Sequence, residues 1–236
     1  MSHSVSLPTF GDALNIELEN GQSIFIVGAN GAGKSKLAQF IENALGVSGH
    51  RISAQRAVSL PHAPAKATMD NALTQLRMGR ANTSFSVSQR NSSRWNNLQP
   101  GHILNDVAQV ASALFADQRD KAVRFYQADR AGNAIESERS LLEKLAASWG
   151  RIHPHILLEI TDDHIKAVPA SNPEGAYWAS QMSDGERATF YLLGQVLCAA
   201  ENSVLIFDEP EIHLHKAIMA KPVSYTHLTL PTTPYV

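Results

Sequence analysis

The glycine-rich segment at residues 28–35 constrains this chain more than any other feature. It is Gly28-Ala-Asn-Gly-Ala-Gly-Lys-Ser, which matches the pattern G-x-x-x-x-G-K-[ST]. Glycines let such a loop wrap around a phosphate with several backbone N–H groups pointing inward, and the following helix presents its positive N-terminus to the same anion. Six residues are therefore predicted to bind the phosphates of a nucleotide: Asn30, Gly31, Ala32, Gly33, Lys34 and Ser35.

The residues around this loop predict the local structure that a phosphate-binding loop needs. Residues 23–27 are continuously apolar, which favours a strand buried on both faces. An apolar stripe follows the loop at helical spacing and predicts a helix that packs on the sheet: Leu37, Phe40, Ile41, Ala44 and Leu45. Residues 14–18 and 51–54 are predicted to be strands. Residues 1–58 are predicted to form one lobe of the structure, which contains this loop.

A second motif lies at Val204-Leu-Ile-Phe-Asp-Glu. Asp208 closes a predicted buried strand at residues 203–207, so it lies at the carboxyl end of a parallel sheet, where ligands of such sheets bind. We predict that Asp208 and the Ser35 hydroxyl hold Mg²⁺, that Lys34 reaches the β- and γ-phosphates, and that Glu209 orients or deprotonates the attacking water. Taken alone, the Asp-Glu-Pro sequence could equally be a turn with a helix cap.

A third motif, Gln181-Met-Ser-Asp-Gly-Glu-Arg, opens a predicted helix at residues 183–200. Ser183 and Glu186 match a capping box, which is a structural explanation. A capped helix N-terminus beside Gly185 can also be presented to a phosphate, which is the functional alternative.

These three motifs, in this order, resemble those of ATPase heads of the ABC type. Similar bacterial groups are RecF, the structural-maintenance-of-chromosomes proteins and the overcoming-lysogenization-defect proteins, often labelled AAA-family ATPases. The resemblance covers residues 14–56 and 155–217. It implies an α/β P-loop NTPase fold with a mostly parallel sheet, flanking helices and a helical insertion.

The same resemblance implies ATP and Mg²⁺ as cofactors and a homodimer that sandwiches ATP between two heads. Ser183, Gly185 and Glu186 would then act as the signature that touches the γ-phosphate bound by the second subunit. Gln55, with Gln89 as second choice, is the candidate for the glutamine that lines the metal. The family's switch histidine has no clear counterpart here.

The middle of the chain, residues 59–150, is predicted to be a helical and loop insertion. Residues 103–128 and 137–149 have helical periodicity, whereas residues 83–101 are polar and rich in Ser and Asn and predict a mobile loop. Four residues here could contact nucleic acid, although a solvated loop is the more common structure: Arg80, Arg90, Arg94 and Trp95. Residues 156–160 and 164–168 predict a hairpin, and residues 151–221 complete the ATPase head.

Composition favours a globular, cytoplasmic protein. The 236 residues are 44% apolar with a net charge of −2, and there is one cysteine, no secretory signal and no apolar run long enough to span a membrane. Residues 222–236 have no charged residue and three prolines, and they resemble translated sequencing-adapter read-through, so we expect a non-native tail there.

The predicted function is Mg²⁺-dependent ATP hydrolysis by a nucleotide-gated dimer. By resemblance, the setting is DNA maintenance or defence against phage, with a DNA or effector-protein partner and no membrane. A non-hydrolysing nucleotide-gated scaffold is the alternative, and a P-loop kinase is a weaker one.

Overall fold

A computed structural model describes residues 2–7, 13–53, 60–61, 63–81, 87–98, 104, 106–132, 138–161 and 164–208. The described strands are β1 Ser2–Leu7, β2 Leu14–Glu19, β3 Gly49–Ser53, β4 Ile156–Ile160, β5 Ile165–Pro169, β6 Tyr177–Trp178 and β7 Val204–Asp208. The described α-helices are α1 Lys34–Leu45, α2 Met69–Met78, α3 Val87–Ser93, α4 Val107–Arg130, α5 Leu141–Ile152 and α6 Asp184–Cys198. Short 3₁₀ turns lie at Gly46–Ser48, Pro173–Gly175 and Ala179–Gln181.

The described strands form three small sheets. β1 pairs antiparallel with β2, β3 pairs parallel with β7, and β4, β5 and β6 form an antiparallel sheet. The structure is therefore α/β with a parallel element, but along the described residues most strand pairs are antiparallel, whereas a mostly parallel sheet was expected. Helix α1 packs against β3 and β7, which brings the helix that follows the glycine-rich loop onto the parallel pair.

The main core lies among the helices and not around the parallel pair. Helices α2, α5 and α6 all contact α4, and the fully buried side chains there include Leu114, Trp149 and Phe190. A separate small cluster of Val5, Leu7 and Ile41 joins β1 to α1. The helices of the predicted insertion thus supply much of the apolar interior, because their buried faces meet α6 of the predicted ATPase head.

The prediction of a buried strand at residues 23–27 was wrong. This segment is irregular, and the exposed fractions of Ile24, Phe25, Ile26 and Val27 lie between 45% and 93%. An apolar run becomes a strand only where a neighbouring strand accepts its backbone hydrogen bonds. Along its described length β7 pairs with β3, and the segment belongs to no sheet among the described residues.

The apolar stripe of α1 was only partly predicted. The residues that the helix buries are Ala38, Ile41 and Glu42, whereas Phe40 is 39% exposed and Ala44 is also exposed. The buried face is rotated relative to the predicted stripe because α1 faces both an apolar neighbour and buried arginines, so Glu42, which lies outside that stripe, is buried.

The prediction of a mobile loop at residues 83–101 was also wrong for its described part. Residues Val87–Ser93 form α3, and the side chains of Arg90, Arg94 and Trp95 are 3%, 5% and 0% exposed. Gly79, the left-handed residue that ends α2, allows the close approach, since a Cβ there would lie 2.5 Å from the backbone N of Arg94. Neither a solvated loop nor a nucleic-acid contact describes these buried side chains.

The one cysteine lies in the main core at the end of α6. Cys198 is 1% exposed, and burial raises the pKa of its thiol to about 12. Its backbone carbonyl accepts a hydrogen bond from Arg77 Nη2 at 2.7 Å. The thiol is therefore neutral at physiological pH and contributes to packing.

Candidate functional site

The glycine-rich loop forms a tight bend directly ahead of α1. Gly31 and Gly33 have φ values of 81° and 89°, a left-handed conformation that glycine adopts without steric cost. The backbone N–H of Ala32 donates to Ala29 O at 3.1 Å. Lys34 Nζ donates to the carbonyls of Gly28 and Ala29 at 2.9 and 3.1 Å, so its ammonium group lies over the loop.

The N-terminus of α1 is open to an external anion. Gly33 occupies the N-cap and supplies no capping side chain, and no acidic residue lies in the first turn. Helix N-termini carry a partial positive charge and unsatisfied N–H donors, which a side chain usually satisfies. The exposed loop and this uncapped helix end are the segments that the sequence predicts to bind a phosphate group.

The structure brings Ser35 and Asp208 together, although they are 173 positions apart in the chain. Ser35 Oγ, in the first turn of α1, donates to Asp208 Oδ1 at the end of β7, at 3.1 Å. A hydroxyl and a carboxylate are the hard oxygen donors that Mg²⁺ prefers, and adjacent oxygens around an octahedral Mg²⁺ lie about 3 Å apart. The donor set at this point fits Mg²⁺, held directly or through its bound water.

A buried arginine that was not predicted lies on the other side of Asp208. Arg51, on β3, is fully buried, and its Nη1 lies 3.6 Å from Asp208 Oδ2. The parallel register of the two strands, in which Ser53 faces Asp208, brings Arg51 into this position. The sequence of residues 51–54 predicts only a strand. A signal was nevertheless present, because a cation inside a strand of a buried sheet needs a carboxylate partner.

Arg51 belongs to a group of six charges, here called the ion cluster, of which all but the half-buried Asp208 are buried. Its members are three carboxylates and three guanidinium groups: Glu42, Asp106, Asp208, Arg51, Arg90 and Arg94. Arg51 Nε donates to Glu42 Oε2 at 3.1 Å, and Arg90 Nε and Arg94 Nη1 lie 3.6 and 3.7 Å from Glu42 Oε1. Burial lowers the pKa of Arg51 and of Arg90, an effect that Glu42 opposes in both cases. A guanidinium group is not deprotonated in proteins, so these groups remain cations.

Arg90 also fixes the far end of α1. Its Nη1 donates to the carbonyls of Gly46 and Gly49, and its Nη2 donates to Glu42 O, each at 3.0 Å. A cation at a helix C-terminus satisfies the last carbonyls and interacts favourably with the helix dipole. The helix that follows the glycine-rich loop is thus held at its C-terminal end by a side chain from the predicted insertion.

The ion cluster reaches α6 through Asp106. Asp106 accepts hydrogen bonds from Arg94 Nη2 at 3.3 Å, Tyr191 OH at 2.8 Å and Gln195 Nε2 at 3.0 Å. Gln195 Oε1 also pairs with His50 Nε2 at 2.8 Å, so α6 is connected to β3 as well. A continuous set of polar contacts therefore links α6, whose N-cap is Ser183, to Asp208.

His50 gives this region an expected acid sensitivity. Burial, reinforced by Arg94, lowers its pKa from 6.5 to about 3. The unfolded chain takes up a proton near pH 6.5 and the folded chain does not, so the free energy of unfolding falls as the pH drops from 6.5 towards 3. Between pH 7 and pH 5 the His50 contribution is about 2 kcal/mol. In urea unfolding at both pH values, the His50→Gln variant should lose about that much less stability than the wild type, and equal losses would contradict the assignment.

The third motif has the capped geometry that its sequence predicts. Ser183 is the N-cap of α6, Glu186 N donates to Ser183 Oγ at 3.4 Å, and Ser183 N donates to Glu186 Oε2 at 2.6 Å. Tyr177 OH donates to the other oxygen of Glu186 at 2.9 Å. Burial and this hydrogen bond raise the pKa of Tyr177 to about 12, so the phenol remains a donor. Ser183 itself is exposed, which leaves this helix end open to another molecule.

Two predicted site residues lie outside the described residues: Glu209, which follows the end of β7, and Gln55, which follows β3. Gln89 is exposed on α3. It lies next to Arg90, which binds the C-terminal end of α1, whereas Ser35 lies in the first turn of that helix. Gln89 is therefore placed towards the opposite end of α1 from the predicted metal ligands.

A glycine-rich loop ahead of a helix, with a hydroxyl from that helix meeting the aspartate that ends a parallel strand, defines a P-loop nucleotide-binding protein. The profile of the ABC transporter family matches residues 12–211, which is most of the chain, and the chain belongs to this family. ATPase domains of the family bind ATP with Mg²⁺, hydrolyse it and generally dimerise. No curated protein and no solved structure was found to match the chain.

Among the described residues, no helix combines the length and apolar composition that crossing a bilayer requires.

Proposed function

We propose that this chain is an ATP-binding, Mg²⁺-dependent ATPase head that works as a nucleotide-gated dimer. The observation that carries the proposal is the hydrogen bond between Ser35 and Asp208, which joins the phosphate-loop helix to the end of the parallel strand β7. Two distant segments of the chain thus present a hydroxyl and a carboxylate side by side, next to an uncapped helix N-terminus. A Mg²⁺–nucleotide complex requires this combination of donors and acceptors.

Each residue of the site has a proposed role. The backbone N–H groups of residues 30–35 and the Lys34 ammonium bind the β- and γ-phosphates, and Ser35 and Asp208 hold Mg²⁺. When bound, Mg²⁺ offsets the negative charge that develops on the phosphate oxygens. Glu209, adjacent to Asp208 in sequence, accepts the proton of the attacking water or orients it.

The exposed N-terminus of α6 supports the proposed dimer. Ser183, Gly185 and Glu186 are proposed to meet the γ-phosphate bound by a second copy, so that ATP holds two heads together and hydrolysis releases them. The exposure of the capped Ser183 supports this proposal. The cellular setting that goes with it is DNA maintenance or defence against phage, with a DNA or effector-protein partner.

The decisive variant is Glu209→Gln. It removes the base but leaves the phosphate loop, Ser35 and Asp208 unchanged, so ATP should still bind. We expect turnover to fall about 100-fold or more, because general-base catalysis contributes at least this much. We also expect a dimer to accumulate in the presence of ATP and Mg²⁺, measured by light scattering after size-exclusion chromatography.

The matched control is Glu211→Gln, a carboxylate two positions further along, which should leave turnover unchanged. Wild-type turnover in the Glu209 variant would show that Glu209 is not the base. ATP-driven dimers without hydrolysis in the wild type would favour the scaffold, and transfer of phosphate to an acceptor other than water would favour a kinase. A wild-type chain that binds no ATP would contradict the proposal as a whole.

A further inference from the structure

We infer that Arg51 is a positioning residue for the metal site: it fixes the orientation of the Asp208 carboxylate so that Oδ1 stays beside Ser35. The inference rests on the proposed function, because it takes Ser35 and Asp208 as the Mg²⁺ site. It adds a residue that the phosphate-loop, strand and signature motifs do not contain.

The two oxygens of Asp208 have separate partners. Oδ1 accepts from Ser35 Oγ at 3.1 Å, and Oδ2 lies 3.6 Å from Arg51 Nη1. A carboxylate can rotate about its terminal torsion, which is broad in the absence of contacts. With the Ser35 hydroxyl at one oxygen and the Arg51 cation at the other, rotation of the carboxylate plane away from these two partners is disfavoured. The oxygen beside Ser35 therefore remains available to the metal.

Arg51 can fix Asp208 because Arg51 is itself fixed. Its side chain has no exposed surface, its Nε donates to Glu42 Oε2 at 3.1 Å, and its guanidinium carbon lies 3.8 Å from the ring centroid of Trp95. The stacked ring and the Glu42 carboxylate set both the plane and the rotation of the guanidinium group. Within the described residues, Nη1 and Nη2 make no hydrogen bond, so the end of the group that faces Asp208 is not committed to another acceptor.

The charge of Arg51 and its orienting contact with Asp208 have opposite effects on the affinity for Mg²⁺, and the proposal depends on which effect is larger. The Arg51 cation repels Mg²⁺, so its charge alone weakens binding. Groups that orient a metal-binding carboxylate have the reverse effect, since their removal typically lowers metal affinity 10- to 100-fold. Glu42 lies against Arg51 and offsets its charge, which reduces the repulsion but leaves the orientation intact. We therefore expect geometry to dominate.

The test uses the full chain and a fluorescent, non-hydrolysable ATP analogue, whose affinity is measured with Mg²⁺ and with EDTA. The ratio of the two affinities reports the metal site without any turnover. In Arg51→Lys, which keeps the charge but loses the planar donor group, we expect the ratio to fall by about tenfold. The affinity in EDTA should be unchanged, because the phosphate loop is not altered.

Two further variants serve as controls for Arg51→Lys. Arg90→Lys changes another arginine of the ion cluster that contacts Glu42 but not Asp208, so it should lower the melting temperature and keep the wild-type ratio. Asp208→Asn should lose the Mg²⁺-dependent part of the affinity. If Arg51→Lys does not fold, the double variant Glu42→Gln/Arg51→Gln makes the same test, because it leaves two cations and two carboxylates in the cluster.

The outcomes separate the two proposals. Suppose that Arg51→Lys keeps the wild-type ratio of the affinities with Mg²⁺ and with EDTA, whereas Asp208→Asn binds the analogue equally in both. This result would overturn the role of Arg51 and leave the proposed function standing. If the double variant has a higher affinity ratio than the wild type, repulsion between Arg51 and Mg²⁺ dominates, and the positioning role of Arg51 is overturned. An equal loss in Arg90→Lys would mean that the effect is only structural. If the wild type itself binds the analogue equally with Mg²⁺ and EDTA, the proposed metal site is wrong.

Discussion

Replacing Lys34 with alanine is expected to weaken ATP binding by about 100-fold or more, because each hydrogen bond to a charged group is worth about 1.5–3 kcal/mol and the ammonium would serve two phosphates. In the structure the same ammonium donates to Gly28 O and Ala29 O at the exposed loop. Those bonds face solvent, so their loss should change the melting temperature very little. Isothermal titration calorimetry with ATP and Mg²⁺ gives the affinity, and thermal unfolding gives the stability.

The control for this experiment is Lys36→Ala. Lys36 lies in the same turn of α1 and carries the same charge, but its side chain is exposed. A change in the general electrostatic attraction of ATP would affect both variants equally. We expect only Lys34→Ala to lose binding, and equal losses would contradict a specific role for Lys34.

Replacing Glu42 with glutamine is expected to produce the largest loss of stability, about 4 kcal/mol. Glu42 has no exposed surface and faces Arg51, Arg90 and Arg94, so its neutralisation leaves three buried cations with two carboxylates. Removing one partner of a buried ion pair typically costs about 3–5 kcal/mol because the remaining charge has no compensation. Urea unfolding followed by circular dichroism measures the change.

The matched control is Asp120→Asn, which breaks an ion pair with Arg124 whose partners are 42% and 74% exposed. Exposed pairs are worth about 0–1 kcal/mol, so the free energy of unfolding should hardly change. The double variant Glu42→Gln/Arg51→Gln should be less destabilised than the sum of its single variants, since it restores the balance of charge. A loss below 1 kcal/mol for Glu42→Gln would mean that water or a rearrangement screens the cluster.

Local patterns predicted the elements whose determinants lie close together in the sequence. The α6 capping box requires only Ser183 and Glu186, and the structure has both of its hydrogen bonds. The hairpin of β4 and β5 follows from two short apolar runs around a polar turn. The pairing of Ser35 with Asp208 was also predicted, because the edge of a parallel sheet and the start of the loop helix meet at one place.

Features that depend on distant partners could not be predicted in this way. A polar run around Arg90 and Arg94 is typical of a solvated loop until Glu42 and Asp106 are known to lie beside it. Likewise, the apolar run at residues 23–27 favours a strand, but whether it forms one depends on a neighbour that the run does not specify. Glu42 lies next to Ile41 but outside the predicted apolar stripe, so its burial, and the buried cations that a carboxylate there requires, could not be predicted from the periodicity of α1.

The buried position of Cys198 has a practical consequence for measuring the geometry of the proposed dimer. Thiolates attack maleimide reagents, and the thiol of Cys198, the chain's one cysteine, is 1% exposed with a pKa of about 12. The native cysteine can therefore remain in place while a spin label is attached elsewhere. Glu201, which is exposed beyond the C-terminal end of α6 and away from Ser183, is a suitable site for a Glu201→Cys variant. Pulsed electron resonance between two such labels would then measure how far apart the signature helices of two subunits lie, with and without ATP.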